Sequence, residues 1–137
     1  MNTTILSKAK KPSKEFFRER LNARYARHTP AVNIQEKEQE YLIKLAAPGF
    51  LREEIGINIK RNTISITSLR KSLRSDSELC KKSHYEYDFS QWERKFELPA
   101  DADAMMSHAF YVNGELFIHI PKYSQPQIVD FMKVMIY

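Results

Sequence analysis

The dipeptide Asn113-Gly114 is the feature that most constrains how this chain can fold. Asparagine followed by glycine favours the type I′ turn of a two-residue β-hairpin, because both residues tolerate the positive φ angles that this turn requires. Pro121 is expected to end the returning strand, since it has no N–H to donate. Between the turn and this proline, every second residue is aliphatic: Leu116, Ile118 and Ile120. The segment therefore predicts a β-hairpin and indicates a β-rich protein.

Short segments with the same two-residue alternation occur throughout the middle of the chain. Those before the hairpin cover residues 31–35, 41–46, 55–59, 63–67 and 92–97. Residues 70–83 are a long polar stretch without pattern, which predicts a functional loop, and residues 85–88 after it predict a short edge strand. Strands at this spacing, separated by turns, predict an antiparallel β-sandwich.

The basic residues are concentrated at the start of the chain. Residues 1–30 hold eight Lys/Arg and two Asp/Glu, a balance of +6, whereas residues 31–137 hold fourteen and fifteen, a balance of −1. Phe17, Leu21 and Tyr25 are spaced to share one face of a helix over residues 14–27. Such an arm can bind a membrane surface, a partner protein or a nucleic acid, or fold only on its partner.

Cysteine content and hydropathy limit the compartment. The chain has a single cysteine, Cys80, which excludes a disulfide-stapled secreted domain and favours a reducing compartment. There is neither an apolar run of about 18 residues for a membrane span nor the apolar stretch of a signal peptide. We therefore expect a cytoplasmic protein.

No catalytic or cofactor-binding pattern is evident. Cys80 and His84 are spaced as half a zinc site, but no second pair lies nearby in sequence, so we expect no metal site. The strand histidines His108 and His119 are expected to be half-buried polar residues. With only three glycines, the chain has no glycine-rich phosphate loop. We expect a protein that is not an enzyme and binds no cofactor.

The residues of the hairpin resemble one family. Ala109-x-x-x-Asn113-Gly114-x-Leu116 is similar to the A-x-x-x-N-G-x-L signature of small heat shock proteins, the α-crystallin domain family, in its bacterial branch. Four further segments agree in the right order: residues 30–34 together with residues 45–50, then residues 85–87, residues 92–99 and residues 118–122. The resemblance covers roughly residues 30–122.

The resemblance implies an all-β, immunoglobulin-like antiparallel β-sandwich over residues 30–122, with a basic N-terminal arm over residues 1–29 and a C-terminal tail over residues 123–137. It also implies a dimer made by strand exchange, in which residues 79–87 of one subunit pair with residues 31–36 of the other. The interface residues expected from this comparison are Ala31, Val32, Asn33, Ile34, Leu79, Tyr85, Tyr87 and Arg94.

The tail departs from the family pattern. It is too apolar for an ordinary solvated tail, so we expect it to dock on a folded surface. Family members usually carry an I-x-I/V motif that fills an apolar groove at the sandwich edge of a neighbouring dimer. Here Ile128-Val129-Asp130 does not fit that motif, and Val134-Met135-Ile136 fits it loosely. Val134 and Ile136 are therefore the candidate docking residues.

The family implies an ATP-independent chaperone that holds unfolding proteins in solution. Its partners would be partly unfolded client proteins and other copies of the chain, and the candidate client contacts are Phe16, Phe17, Leu21 and Tyr25. One alternative is a monomeric adaptor of the CS-domain type that binds another chaperone. Another is a nucleic-acid-binding arm on a β-sandwich, whose affinity would fall steeply with salt.

Overall fold

The structure is a computed structural model that describes residues 29–70, 90–123 and 129–137. These residues form eight β-strands, and every strand pairing is antiparallel. The strands are β1 (Val32–Glu36), β2 (Glu40–Ala46), β3 (Ile55–Lys60), β4 (Thr63–Ser68), β5 (Glu93–Glu97), β6 (His108–Val112), β7 (Glu115–Pro121) and β8 (Met132–Lys133). The predicted strands that fall within the described residues are thus confirmed.

The strands form two sheets of four. The first sheet has the order β1-β2-β7-β6 and the second has the order β5-β4-β3-β8. In each sheet the inward face is apolar, because the side chains of a strand alternate between its two faces. The returning strand of the hairpin shows this alternation clearly, since its three aliphatic residues at 116, 118 and 120 are fully buried. The predicted β-sandwich is therefore correct.

The core lies between the two sheets, and isoleucine is its most frequent residue. Strands β3 and β4 contribute four isoleucines that are fully buried: Ile57, Ile59, Ile64 and Ile66. Trp92, immediately before β5, is also buried and packs edge-on against Phe50 with their ring centroids 5.6 Å apart. β-branched residues suit such an interior, because their stiff side chains pack well on a pleated surface.

Short 3-10 turns connect the sheets at Arg52–Glu54 and Ala104–Met106. Near the second of these, the Tyr41 hydroxyl donates a hydrogen bond of 2.6 Å to Asp101 Oδ1. Burial of the ring, and then this hydrogen bond to a carboxylate, raise the pKa of Tyr41 above its ordinary value. The pair ties β2 to the loop that precedes β6, at the end of the sheet away from the hairpin turn.

Several predictions concern residues outside the described ranges. The helix over residues 14–27, the exchanged segment 79–87 and the Cys80/His84 pair all lie there. They stay predictions, as do the three domain boundaries.

Candidate functional site

The hairpin turn has the backbone geometry that its sequence predicts. Asn113 and Gly114 have φ angles of 51° and 79°, as a type I′ turn requires. The turn packs against residues 46–49, since the Ala47 N–H donates to the Gly114 carbonyl at 2.9 Å. The Tyr111 hydroxyl also donates to the Ala47 carbonyl at 2.6 Å. The signature residues Ala109 and Leu116 are fully buried, so the motif fixes both the turn and its packing.

The first candidate binding edge is the outer side of β1. Ala31 accepts a hydrogen bond from Ala46, and Lys37 donates one to Glu40. Given this register, the odd-numbered residues of β1 bond to β2, while the even-numbered residues turn their backbone N–H and C=O outward. No strand among the described residues pairs with this edge. Val32 and Ile34, both predicted interface residues, thus pack on the core with their side chains and present their peptide groups to the edge.

Arg94 lies on β5, close to where the chain enters β1. Its Nη1 donates a hydrogen bond of 2.6 Å to the Pro30 carbonyl, and its guanidinium carbon lies 5.4 Å from the centre of the Phe96 ring. Arg94 therefore connects the edge strand of the second sheet to the start of the first. Its predicted role across a dimer interface stays a prediction.

Arg70 holds the start of the long loop in place, a role that the sequence did not reveal. Its Nη2 donates to the Gly49 carbonyl at 2.6 Å, and its guanidinium lies 4.0 Å from the centre of the Phe50 ring. Its Nε donates to Glu54. This hydrogen bond is the main cause that lowers the pKa of Glu54. A lone arginine at the beginning of a polar stretch gives no sequence signal for such a contact.

The residues on the far side of the loop complete this anchor. The Ser68 hydroxyl donates to the Ser90 carbonyl at 2.7 Å, and the Gln91 side-chain amide donates to the Arg70 carbonyl at 3.3 Å. Residues 68–70 and 90–91 are thus hydrogen-bonded to each other, so the loop begins and ends at one place on the sandwich. Arg70, Glu54 and Ser68 are site residues that sequence reasoning missed.

The second candidate edge is covered by the tail. Residues 132–133 pair with β3, and the Val134 N–H donates to the Ile57 carbonyl at 2.9 Å. Three residues later the tail bonds to the other sheet: the Tyr137 N–H donates to the Ala109 carbonyl, and the Tyr111 N–H donates to the Tyr137 carbonyl, both at 2.8 Å. The tail therefore bonds to one strand of each sheet and closes the gap between them.

The two candidate docking residues point into this gap. Val134 is 3 % exposed and belongs to the core, while Ile136 is partly buried against it and forms a parallel bridge with Ala109. Residues 132–137 of the tail bond to the sandwich, and the role of Val134 and Ile136 as a docking motif stays a prediction. The family pattern places such a motif on a neighbouring dimer, whereas here the described tail lies on the sandwich of its own chain.

Within residues 29–70, 90–123 and 129–137, no three His, Cys, Asp or Glu side chains lie together in a way that could hold a metal ion. The same residues contain no helix of the length and hydropathy needed to cross a membrane. His108 and His119 are half-buried strand residues whose rings stack with their centroids 5.0 Å apart. His119 Nδ1 also lies 3.0 Å from Glu40 Oε1.

Comparison with known sequences agrees with this architecture. The sequence model described as the Hsp20/alpha crystallin family matches residues 33–136. Spore protein SP21 of Stigmatella aurantiaca is 28 % identical over 99 residues, which cover 72 % of this chain and 57 % of that protein. Small heat shock protein C4 of Rickettsia felis is 29 % identical over 118 residues, covering 80 % and 71 % respectively. The chain thus spans little more than half the length of the spore protein.

Solved structures share the fold. A small heat-shock protein from Xylella fastidiosa superimposes with a TM-score of 0.62 at 28 % identity, covering 75 % of this chain and 95 % of that one. The hspA protein from Xanthomonas axonopodis gives a TM-score of 0.60 at 30 % identity, covering 69 % and 93 %. The family match extends over the hairpin, both candidate edges and most of the described tail. The chain therefore belongs to the Hsp20/alpha crystallin family.

Proposed function

We propose that this protein is an ATP-independent chaperone, a holdase that binds partly unfolded proteins and prevents their aggregation. The observation that carries the proposal is the tail-covered edge, where a short segment covers an apolar gap and one strand of each sheet. Unfolding proteins expose apolar segments and unpaired strands, and both would fit the site that the tail vacates. Family membership and the similarity to small heat shock proteins support a chaperone role.

The capture step follows from the geometry of the tail. A client segment would replace the backbone hydrogen bonds to Ile57 and Ala109 by strand addition and would place its own apolar side chains where Val134 and Ile136 lie. At ~25 cal/mol per Å², a few hundred Å² of apolar contact gives several kcal/mol before ordering costs. Binding of that size is reversible and tolerates many sequences, as a holdase requires.

We further propose that two copies form a dimer by strand exchange. The outward peptide groups of Val32 and Ile34 provide an edge to which residues 79–87 of a second copy could add. Pairing would remove an edge that otherwise favours aggregation. The apolar residues Phe16, Phe17, Leu21 and Tyr25 of the arm would supply further client contacts. A reducing cytoplasm suits a chain with one cysteine.

The function is tested by light scattering of a heat-denatured client protein over a series of chaperone doses up to a mass equal to that of the client, without nucleotide. We expect the full chain to suppress the scattering, and Val134→Ser to suppress it at a lower dose because the site is vacated more often. Met135→Ser is the matched control, since Met135 is next in sequence but 64 % exposed. Client scattering that is the same with and without the protein would disprove the holdase function.

A further inference from the structure

The outer face of the first sheet is more apolar than a solvated face should be. Antiparallel sheets with one covered face normally alternate apolar inward and polar outward residues. Here four outward positions on three adjacent strands carry apolar or aromatic side chains. They are Leu42 on β2, Phe117 on β7, and Phe110 and Val112 on β6, with the stacked rings of His108 and His119 between them. We call these six residues the outer patch.

The outer patch is continuous across the strands. Leu42 is directly opposite His119, and Phe110 is directly opposite Phe117. The Phe110 ring lies edge-on to His119 with their centroids 6.0 Å apart. Leu42 is only 4 % exposed although it lies outside the inner core, whereas Phe110 and Val112 are 43 % and 51 % exposed. Grouped exposed apolar side chains are typical of a binding surface, and Phe110, Val112 and the half-buried Phe117 provide that surface here.

We propose that the outer patch is the docking site for the N-terminal arm of the same chain, through the stripe formed by Phe17, Leu21 and Tyr25. The chain enters the sandwich at this sheet, because the Ala31 carbonyl bonds to β2 just after Pro30. From Tyr25 to Pro30 an extended chain spans up to about 17 Å. Four strands spaced at ~4.8 Å make a sheet only ~14 Å wide. The stripe can therefore reach every strand of the patch.

The size and charge of the arm also fit this face. A helix over residues 14–27 would be ~21 Å long, enough to cross all four strands. Those residues hold five Lys/Arg and two Glu, a balance of +3. Glu40 and Glu115 are on the outward side of β2 and β7, with Lys44 between them, and Lys37 Nζ lies 3.8 Å from Glu40 Oε2. The basic side chains beside the stripe would thus meet the exposed carboxylate of Glu115 at the end of the patch near the hairpin turn.

Docking would hold the arm on the first sheet when no client is bound. The proposed function assigns the apolar stripe to client binding. In the docked state the sheet would cover this stripe, and undocking would expose the stripe and the outer patch together. The outer patch adjoins the tail-covered edge on β6, where the Phe110 and Tyr137 ring centroids lie 6.1 Å apart, so the arm and the tail would protect neighbouring apolar surfaces. The proposal concerns the isolated chain, and its test needs neither a client nor chaperone activity.

The test places the photo-crosslinking residue p-benzoylphenylalanine at position 21 of the full chain and maps the adducts by mass spectrometry. We expect adducts within residues 108–119, and at least a threefold loss of them in Phe110→Ser. Phe131→Ser is the matched control, because Phe131 is an exposed phenylalanine at 64 % on the tail. Adducts concentrated on the second sheet, or unchanged by Phe110→Ser, would overturn the proposal.

A second measurement leaves the sheet unaltered. Diethylpyrocarbonate modification of His108 and His119 should become at least threefold faster in Leu21→Ser, because the docked arm would shield the stacked rings. Phe16→Ser is the control, since Phe16 is aromatic but lies off the stripe. Equal rates in both variants would contradict docking. The crosslinking experiment is also run on a mixture of isotopically light and heavy chains. Crosslinks found only between different chains would overturn docking of the arm on its own chain and would show that the patch binds the arm of a second copy.

Discussion

At the scale of single residues, the hairpin turn depends on a glycine that has a positive φ and a close neighbour. A Cβ added at Gly114 would lie 3.2 Å from the Pro48 Cα, whereas one added at Gly49, with φ +82°, would meet nothing within 4 Å. The left-handed conformation costs a non-glycine residue about 1–2 kcal/mol. Alanine variants at the two positions therefore share the conformational cost, and only the variant at Gly114 adds a packing cost.

We predict that Gly114→Ala lowers the free energy of unfolding by more than Gly49→Ala does, by about 1 kcal/mol, because only the former also displaces a neighbour. Urea denaturation followed by tryptophan fluorescence measures both, since the buried Trp92 is the only tryptophan. Equal losses in the two variants would show that the contact with Pro48 relaxes without cost.

The Glu54–Arg70 pair gives a pH dependence with a definite sign. The hydrogen bond from Arg70 holds the pKa of Glu54 below its ordinary value of 4.5. The stabilisation is therefore present above pH 4.5 and is lost as the pH falls through the lowered pKa. We predict that Glu54→Gln is less stable than the parent at pH 7 and that the difference shrinks on acidification below pH 4.5.

The stabilities of Glu54→Gln and the parent are compared through their urea denaturation midpoints between pH 7 and pH 3. Glu53→Gln is the neighbouring control, because the described residues give Glu53 one ion pair, an exposed contact of 3.8 Å with Arg52, and such pairs contribute little. A pH profile of Glu54→Gln parallel to that of the parent would refute the role given to this carboxylate.

At the scale of elements, the strands could be predicted because their residues alternate and their turns carry recognisable residues. The hairpin shows this best, since Asn113-Gly114 sets the register that then buries Ile118 and Ile120. The tail was predictable only as a docking segment. Its apolar residues indicate burial, but the choice of partner strands depends on surfaces that form only when both sheets assemble.

The anchor at Arg70 and the outer patch were not predicted, for different reasons. Arg70 contacts Gly49 and Glu54 at 21 and 16 residues' separation, and nothing local indicates such pairs. The outer patch did leave a signal, because Leu42 and Phe117 occupy positions that alternate with the core residues. Apolar residues on the expected solvent side of adjacent strands are that signal.

The tail itself yields a prediction at this scale. Burying a valine contributes about 1.5–3 kcal/mol, so Val134→Ser should shift the docking equilibrium toward release by at least tenfold. The Tyr111 and Val134 amides, which are hydrogen-bonded through docking, should exchange hydrogen faster by a similar factor. Met135→Ser should leave both rates unchanged. Slow exchange in Val134→Ser would mean that the backbone hydrogen bonds alone hold the tail.

At the scale of the whole molecule, the open edge of β1 predicts self-association. An added strand bonds to outward-facing peptide groups, and Val32 and Ile34 turn theirs outward on an edge with which no described strand pairs. The anchor of residues 68–70 to residues 90–91 fixes where the loop that we propose to be exchanged begins and ends. A dimer formed in this way should therefore depend on the backbone of residues 79–87 rather than on the loop as a whole.

We predict that proline substitutions at Tyr85 and Glu86 weaken the dimer and that a proline elsewhere in the loop does not, as measured by sedimentation equilibrium. Alternate amides of an added strand bond to its neighbour, so at least one of Tyr85→Pro and Glu86→Pro must remove a ladder hydrogen bond and weaken the dimer, by about tenfold or more for a loss of ~1.4 kcal/mol. Ser75→Pro, in the same loop but outside the exchanged segment, should leave the dimer intact. A parent chain that sediments as a monomer at every concentration would rule out strand exchange, while the tail-covered edge could still bind clients.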